Sequence, residues 1–151
     1  MKSFDFPLER VRQYRDKQAQ IEESKLERLW AGRRSLELRR EQLNRHRAET
    51  EKSILSAQSV DAMQLAALGH WSSFVETQNQ LIGKQLAQCE AQIALQRVKV
   101  IETRRQFQLL DKLKEKRLNS WKAECDRELE QQASESYLAQ WSRENSLVKS
   151  G

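Results

Sequence analysis

The chain has 151 residues, with 27 Lys and Arg against 22 Asp and Glu for a net charge of +5, 38% apolar residues, only 7% aromatics and a mean hydropathy of -0.87. That leaves too little apolar side chain for a core several layers thick, but enough for one seam along a pair of helices. The longest apolar runs, such as Leu65 to Leu68, fall far short of the roughly 20 residues that cross a bilayer, and no signal-peptide core follows Met1; the expectation is a soluble cytoplasmic protein.

Ala, Glu, Lys, Leu and Arg supply about half of the residues, glycine is scarce at 4, and Pro7 is the only proline, so little in the chain forces a helix to break. The predicted fold is all-α: two long helices in an antiparallel coiled-coil hairpin, residues 1–151 forming a single elongated domain. Asp5 and Pro7 make the first start signal, a cap followed by a proline whose missing N–H costs least in the first turn. Helix one is predicted from about Phe6 to Ser56, with a thin seam of Leu8, Val11, Ile21, Leu29, Leu36 and Leu43. A second start follows at Val60 and Asp61, with Gln64 as reciprocal capping partner and Val60 and Leu65 spaced as a hydrophobic staple. The turn therefore falls at about residues 56–60. Helix two is predicted from Ala62 to about Arg143, and Glu144 to Gly151 as a frayed tail.

Helix two carries the clearest pattern. Ile82, Leu86, Cys89, Ile93, Val100, Phe107 and Leu110 recur at alternating steps of three and four, interrupted by Gln96 and Thr103, which is the spacing of a coiled-coil seam. Folding the chain at Ser59 sets Leu8 opposite Leu110, Val11 opposite Phe107, Leu29 opposite Cys89, Leu36 opposite Ile82 and Leu43 opposite Val75, with Gly32 leaving room for Leu86. Helix one then ends near the partner of Leu110, so helix two is expected to overhang it. The overhang keeps an apolar stripe of Leu113, Leu118, Trp121, Cys125 and Leu129, extended by Tyr137, Leu138 and Trp141, with no partner of its own; such a face marks a docking surface, or is buried in a homodimer.

Catalytic chemistry has few candidates. Cys89 and Cys125 lie on one predicted helix, roughly 54 Å apart at 1.5 Å per residue, and cannot pair within the chain. His46 and His70 fall near each other in the predicted register, but two His without Cys or a carboxylate pair make a poor metal site. A two-helix unit offers no concave site and there is no Gly-rich phosphate loop, so neither an enzyme nor a cofactor is expected. Arg33, Arg34, Arg39, Arg40, Arg45 and Arg47, and Lys112, Lys114, Lys116 and Arg117, form basic clusters suited to an acidic partner. Glu37, Glu41, Glu49 and Glu51 stand at helical spacing to screen the first of these, and no DNA-reading motif accompanies them, so nucleic acid is not the expected ligand.

Phe4, Phe6, Leu8, Glu9, Val11 and Arg15 at the start, and Leu110, Leu113, Lys114, Glu115, Lys116 and Arg117 followed by Arg127, Glu128, Glu130, Gln131 and Glu135 near the end, resemble the two ends of the FliJ family. That family is the small coiled-coil component of the bacterial flagellar type III export apparatus. Gln132 and Ser134 depart from its tail pattern, where Lys and Asp are common. The resemblance implies a monomeric cytoplasmic protein, peripheral at the inner-membrane export apparatus, that inserts into the hexameric export ATPase as the central stalk of a rotary ATPase does. It also implies promotion of ATPase assembly and activity, contact with the membrane export gate, and transfer of export chaperones. Carried onto this chain, Leu110, Leu113, Lys114, Lys116, Arg117, Leu118, Trp121 and Arg127 would meet the ATPase. Gln42, Trp71 and Phe74, near the hairpin tip, would meet the gate. The competing readings are a homodimeric coiled-coil adaptor or spacer unconnected to secretion, and the equivalent stalk of a virulence secretion system.

Overall fold

The computed structural model describes residues 2–151. Two helices, α1 over Glu9–Leu55 and α2 over Ala62–Lys149, pack on each other as a hairpin whose second arm is the longer. α1 starts later than Phe6 because Pro7 and Leu8 form a turn that precedes it: the Glu9 N–H donates to the Phe6 carbonyl at 3.0 Å and the Arg12 N–H to that of Leu8 at 2.8 Å. The turn between the helices carries the chemistry of its residues. The Ala57 N–H closes α1 on the Ile54 carbonyl at 3.3 Å, and the Leu65 N–H opens α2 on the Asp61 carbonyl at 3.1 Å. Gln64 Oε1 reaches back to accept from the Asp61 N–H at 3.3 Å, the reciprocal half of a capping box. At its far end α2 continues to Lys149, past the end expected near Arg143. No glycine or proline intervenes before Gly151, and Lys149 puts a cation on the negative end of the helix.

Packing divides the described residues into two compact units, one of residues 2–16 with 105–151 and one of Lys17–Arg104. The second contains the turn. Its core is a cluster of Leu26, Cys89 and Ile93 with Leu29 and Val100 against it, continued by Ala19, Val75 and Ile82, which are 0–1% exposed. The Cys89 thiol donates to the Leu29 carbonyl at 3.3 Å, so the sequence pairing of Leu29 with Cys89 is the one formed. Gln96, a polar interruption in the predicted seam, is buried; its Nε2 donates to the Glu22 carbonyl at 3.0 Å and to the Glu22 carboxylate. A buried amide that finds both acceptors on one facing residue ties down one register, the role that a seam polar residue has in coiled coils. Thr103 satisfies its hydroxyl on the Lys99 and Val100 carbonyls of its own helix.

The α1 seam is differently phased from the prediction. Val11 and Ile21 are 42% and 55% exposed, whereas Arg12, Arg15, Ala19, Glu22 and Leu26 take the facing positions as half-buried or buried residues. Counting in strict steps of four and three from Leu8 passes through these five and then through Leu29 and Leu36. Val11 and Ile21 are the nearest hydrophobics to that path but lie off it. Arginine stems are apolar enough to stand in a seam while their heads turn out to carboxylates. The predicted opposition of Gly32 and Leu86 is not needed either: Gly32 is exposed, and a Cβ built on it meets nothing within 4 Å.

Candidate functional site

The unit that joins the two ends of the chain begins with residues that are not helical. Lys2 to Phe6, ahead of the turn, at roughly 3.3 Å per extended residue can span about 13 Å, whereas the same four steps on a helix would rise only about 6 Å. The residues before α1 thus reach the first part of the predicted unpartnered stretch, as far as Trp121. The Phe4 ring lies 5.9 Å from that of Trp121 at an interplanar angle of 56°, and Trp121 Nε1 donates to the Lys2 carbonyl at 3.1 Å. Phe6, two residues on, is only 5% exposed, and the Arg117 guanidinium stands 5.7 Å from its ring centroid. The Phe-x-Phe spacing turns both rings onto α2, as the period of an extended chain requires. The expectation that Leu113 to Trp121 have no intramolecular partner is therefore corrected. Residues 2–6 precede the turn at Pro7 and Leu8 and are not helical, so they rise farther per residue than a helix would and reach a part of α2 that helical spacing from α1 does not.

Behind this clip the charges form a chain. The Asp111 carboxylate accepts from Arg12 Nη2 at 2.8 Å and Nε at 3.0 Å. Arg12 Nη1 reaches Glu9 Oε1 at 3.1 Å, and Lys114 Nζ reaches Glu9 Oε2 at 2.9 Å. Arg12 also lies over Phe107 at 5.2 Å. The Lys114 hydrogen bond holds the Glu9 carboxyl below its ordinary range, against the opposing effect of desolvation, and the Asp111 hydrogen bond holds Arg12 above its own.

Of the residues that the resemblance assigns to an ATPase, Lys114, Arg117 and Trp121 thus have partners inside the chain. Leu110, Leu113 and Leu118 are half-buried, while Lys116 and Arg127 are exposed. Beyond Cys125 the character of α2 changes: Leu129, Tyr137, Leu138, Trp141, Leu147 and Val148 are 55–78% exposed. The last two were hidden from sequence reasoning by the supposed frayed tail; the absence of a breaker before Gly151 was the available signal. Burial raises the Cys125 thiol above its ordinary range, helped by Glu128, Asp126 and Glu124.

In the other unit, Trp71 and Phe74 are brought together as stacked rings 5.6 Å apart at 27°. Phe74 is half exposed, and the Trp71 indole N–H is buried without a hydrogen-bond partner among the described residues. Gln42 is exposed on α1. Glu37, Glu41 and Glu51 engage Arg33, Arg45 and Arg47 at 2.9–3.2 Å, as their spacing predicts. His46 and His70 are both exposed, and among the described residues no group of three His, Cys, Asp or Glu could hold a metal. Among those residues too, no helix is long and apolar enough to cross a membrane. No protein-family model, no curated protein and no solved structure matches the chain.

Proposed function

We propose that the chain is a non-enzymatic coiled-coil stalk of a bacterial flagellar type III export apparatus, a cytoplasmic protein that enters the hexameric export ATPase and promotes its assembly and activity. The observation that carries this reading is the last stretch of α2, which leaves Leu129, Tyr137, Leu138 and Trp141 exposed, uncovered by the other described residues. Side chains of that kind on a helix with no partner are what a ring of subunits would bury, because a free helix gains nothing by exposing them. Exposed Lys112, Lys116 and Arg127 add a basic flank for acidic ring surfaces. The clip refines the assignment taken from the resemblance: Lys114, Arg117 and Trp121 hold the chain ends together, and the contact surface moves outward along α2. In the same reading Trp71 and Phe74, with the orphaned indole N–H of Trp71, serve the export gate together with Gln42, and the hairpin hands over export chaperones.

ATP hydrolysis by a flagellar export ATPase, at concentrations where the ring is partly assembled, tests the proposal. Stimulation is expected with the native chain and lost with Leu138→Asp combined with Trp141→Asp, at unchanged helicity. Absence of stimulation, with no co-migration on the ring, refutes it. A homodimeric adaptor is the second reading, favoured by exposed Leu81, Leu95, Val98, Ile101 and Leu109 on α2; sedimentation equilibrium decides, since a stalk is a monomer when free.

A further inference from the structure

We infer that a groove on one side of the Lys17–Arg104 unit is a docking site for an amphipathic helix with acidic residues beside its apolar stripe, supplied by a partner protein. The groove lies between α1 and α2, has a volume of about 430 Å³, and is floored by Leu29 and Leu95 with Lys25, Arg28 and Lys99 among its walls. It shares Lys25 and Arg28 with a second depression of about 480 Å³ that runs on along α1 past Ile21 to Lys17. Four cations and no carboxylate line the two together.

Leu95 and Ile21 are 69% and 55% exposed. They are not surplus seam residues. Leu95 stands one step before the buried Gln96 on α2, and Ile21 one step before the half-buried Glu22 on α1, so each projects from the flank of the seam rather than away from the partner helix. A third helix laid along that flank would set its own apolar stripe on both. The Glu22 carboxylate at the edge of the groove is committed: it takes Gln96 Nε2 and pairs with Lys25 at 3.2 Å. Lys99 also acts on the Glu22 carboxylate through space, while Lys17 and Arg28 make no ion pair among the described residues, so one carboxylate is shared by two of the four cations and the rim keeps an excess of positive charge.

Charge and floor together select the occupant. A nucleic acid would use the cations but not the aliphatic floor, which offers no aromatic platform for bases. A neutral apolar helix would use the floor but leave the cations idle. An acidic amphipathic helix uses both, with the Coulomb part sensitive to salt. The inference does not depend on the export reading, because the groove is the same whatever the rest of the chain serves.

The test uses the full chain and a labelled peptide of about 18 residues, five helical turns, with Leu at alternating three and four spacing and Glu and Ala elsewhere. Fluorescence anisotropy is expected to report saturable binding that weakens as salt rises. A triple variant, Lys25→Glu with Arg28→Glu and Lys99→Glu, and separately Leu95→Asp, should each weaken it at least tenfold, or ~1.4 kcal/mol, at unchanged ellipticity. Leu95 is exposed, so its variant remains informative if the triple variant does not fold. The inference is overturned by no binding, or by equal binding of a Lys-for-Glu peptide. It is likewise overturned by preference for an oligo-dT of about 20 nucleotides with the same variant dependence, or by native self-association abolished by Leu95→Asp, which would make a second copy the occupant.

Discussion

Phe6→Ala strikes the clip at its anchor. Truncating a buried Phe to Ala costs ~3–5 kcal/mol where the surroundings cannot collapse, and Phe6 is 5% exposed. Here, however, the chain has a cheaper response than global unfolding. Releasing Lys2 to Leu8 returns ~1–2 kcal/mol of backbone entropy per residue, roughly 7–14 kcal/mol over the segment, so the ring contacts, the Trp121 hydrogen bond and the cation over Phe6 are opposed by a large cost and the docked segment is sensitive to losing any one of them. A loss of ~3 kcal/mol then moves the clip equilibrium toward open by roughly a hundredfold. In a variant that keeps Trp121 and carries Phe at positions 30, 71 and 141, Trp121 emission is expected to shift to the red and acrylamide quenching to rise. Far-UV ellipticity should change by no more than a few per cent, since the released residues are not helical. Phe6→Leu should restore most of the protection. Unchanged Trp121 emission in Phe6→Ala would refute the clip as a packed element, and a large fall in ellipticity would show that it nucleates the hairpin instead.

Ile82→Ala, buried on α2, should cost ~2–4 kcal/mol, whereas the observed phasing of α1 makes Ile21→Ala nearly silent, within ~0.5 kcal/mol; thermal denaturation separates them, and equal costs would restore the predicted seam. Gly32→Ala and Gly83→Ala should each stabilise by ~0.5–1 kcal/mol, because a Cβ at either position meets nothing within 4 Å; a fall in the urea midpoint would contradict that. Hydrogen bonds from Lys114 and from Gln96 hold the Glu9 and Glu22 carboxyls below their ordinary range. Their stabilising contribution is therefore complete above the ordinary carboxylate range and is lost as pH falls through the depressed folded values. Glu9→Gln with Glu22→Gln should flatten the acid limb of stability against pH, and an unchanged limb would remove these two groups from the account.

The hairpin was legible because its signals are local: Val60, Asp61 and Gln64 mark the turn by chemistry, and the seam from Ile82 to Leu110 marks the packing face of α2 by period alone. α1 was harder, since a search for apolar residues selects Val11 and Ile21 over Arg12 and Arg15. Only the facing carboxylate of Asp111 and the amide of Gln106, at 2.8 Å and 2.7 Å, reveal that the arginines stand in the seam. The clip depends on a change of rise per residue at Pro7, which period counting along a helix does not register. The groove around Leu95 was invisible for a related reason. It is made by Ile21, Lys25 and Arg28 on one helix and Leu95 and Lys99 on the other, and neither group forms a motif by itself.

A hairpin also imposes an order on its own assembly. The Asn44 to Asn79 hydrogen bond, at 2.7 Å, joins residues 35 apart in sequence, whereas Trp121 and the Lys2 carbonyl are 119 apart. Loop closure costs least for the near pair, so pairing is expected to begin at the turn and advance toward the termini, with the Phe4 and Phe6 contacts last. Unfolding is expected to retrace the path from the other side: hydrogen exchange at Glu9 to Arg15 should run ahead of exchange at Leu26 to Leu29.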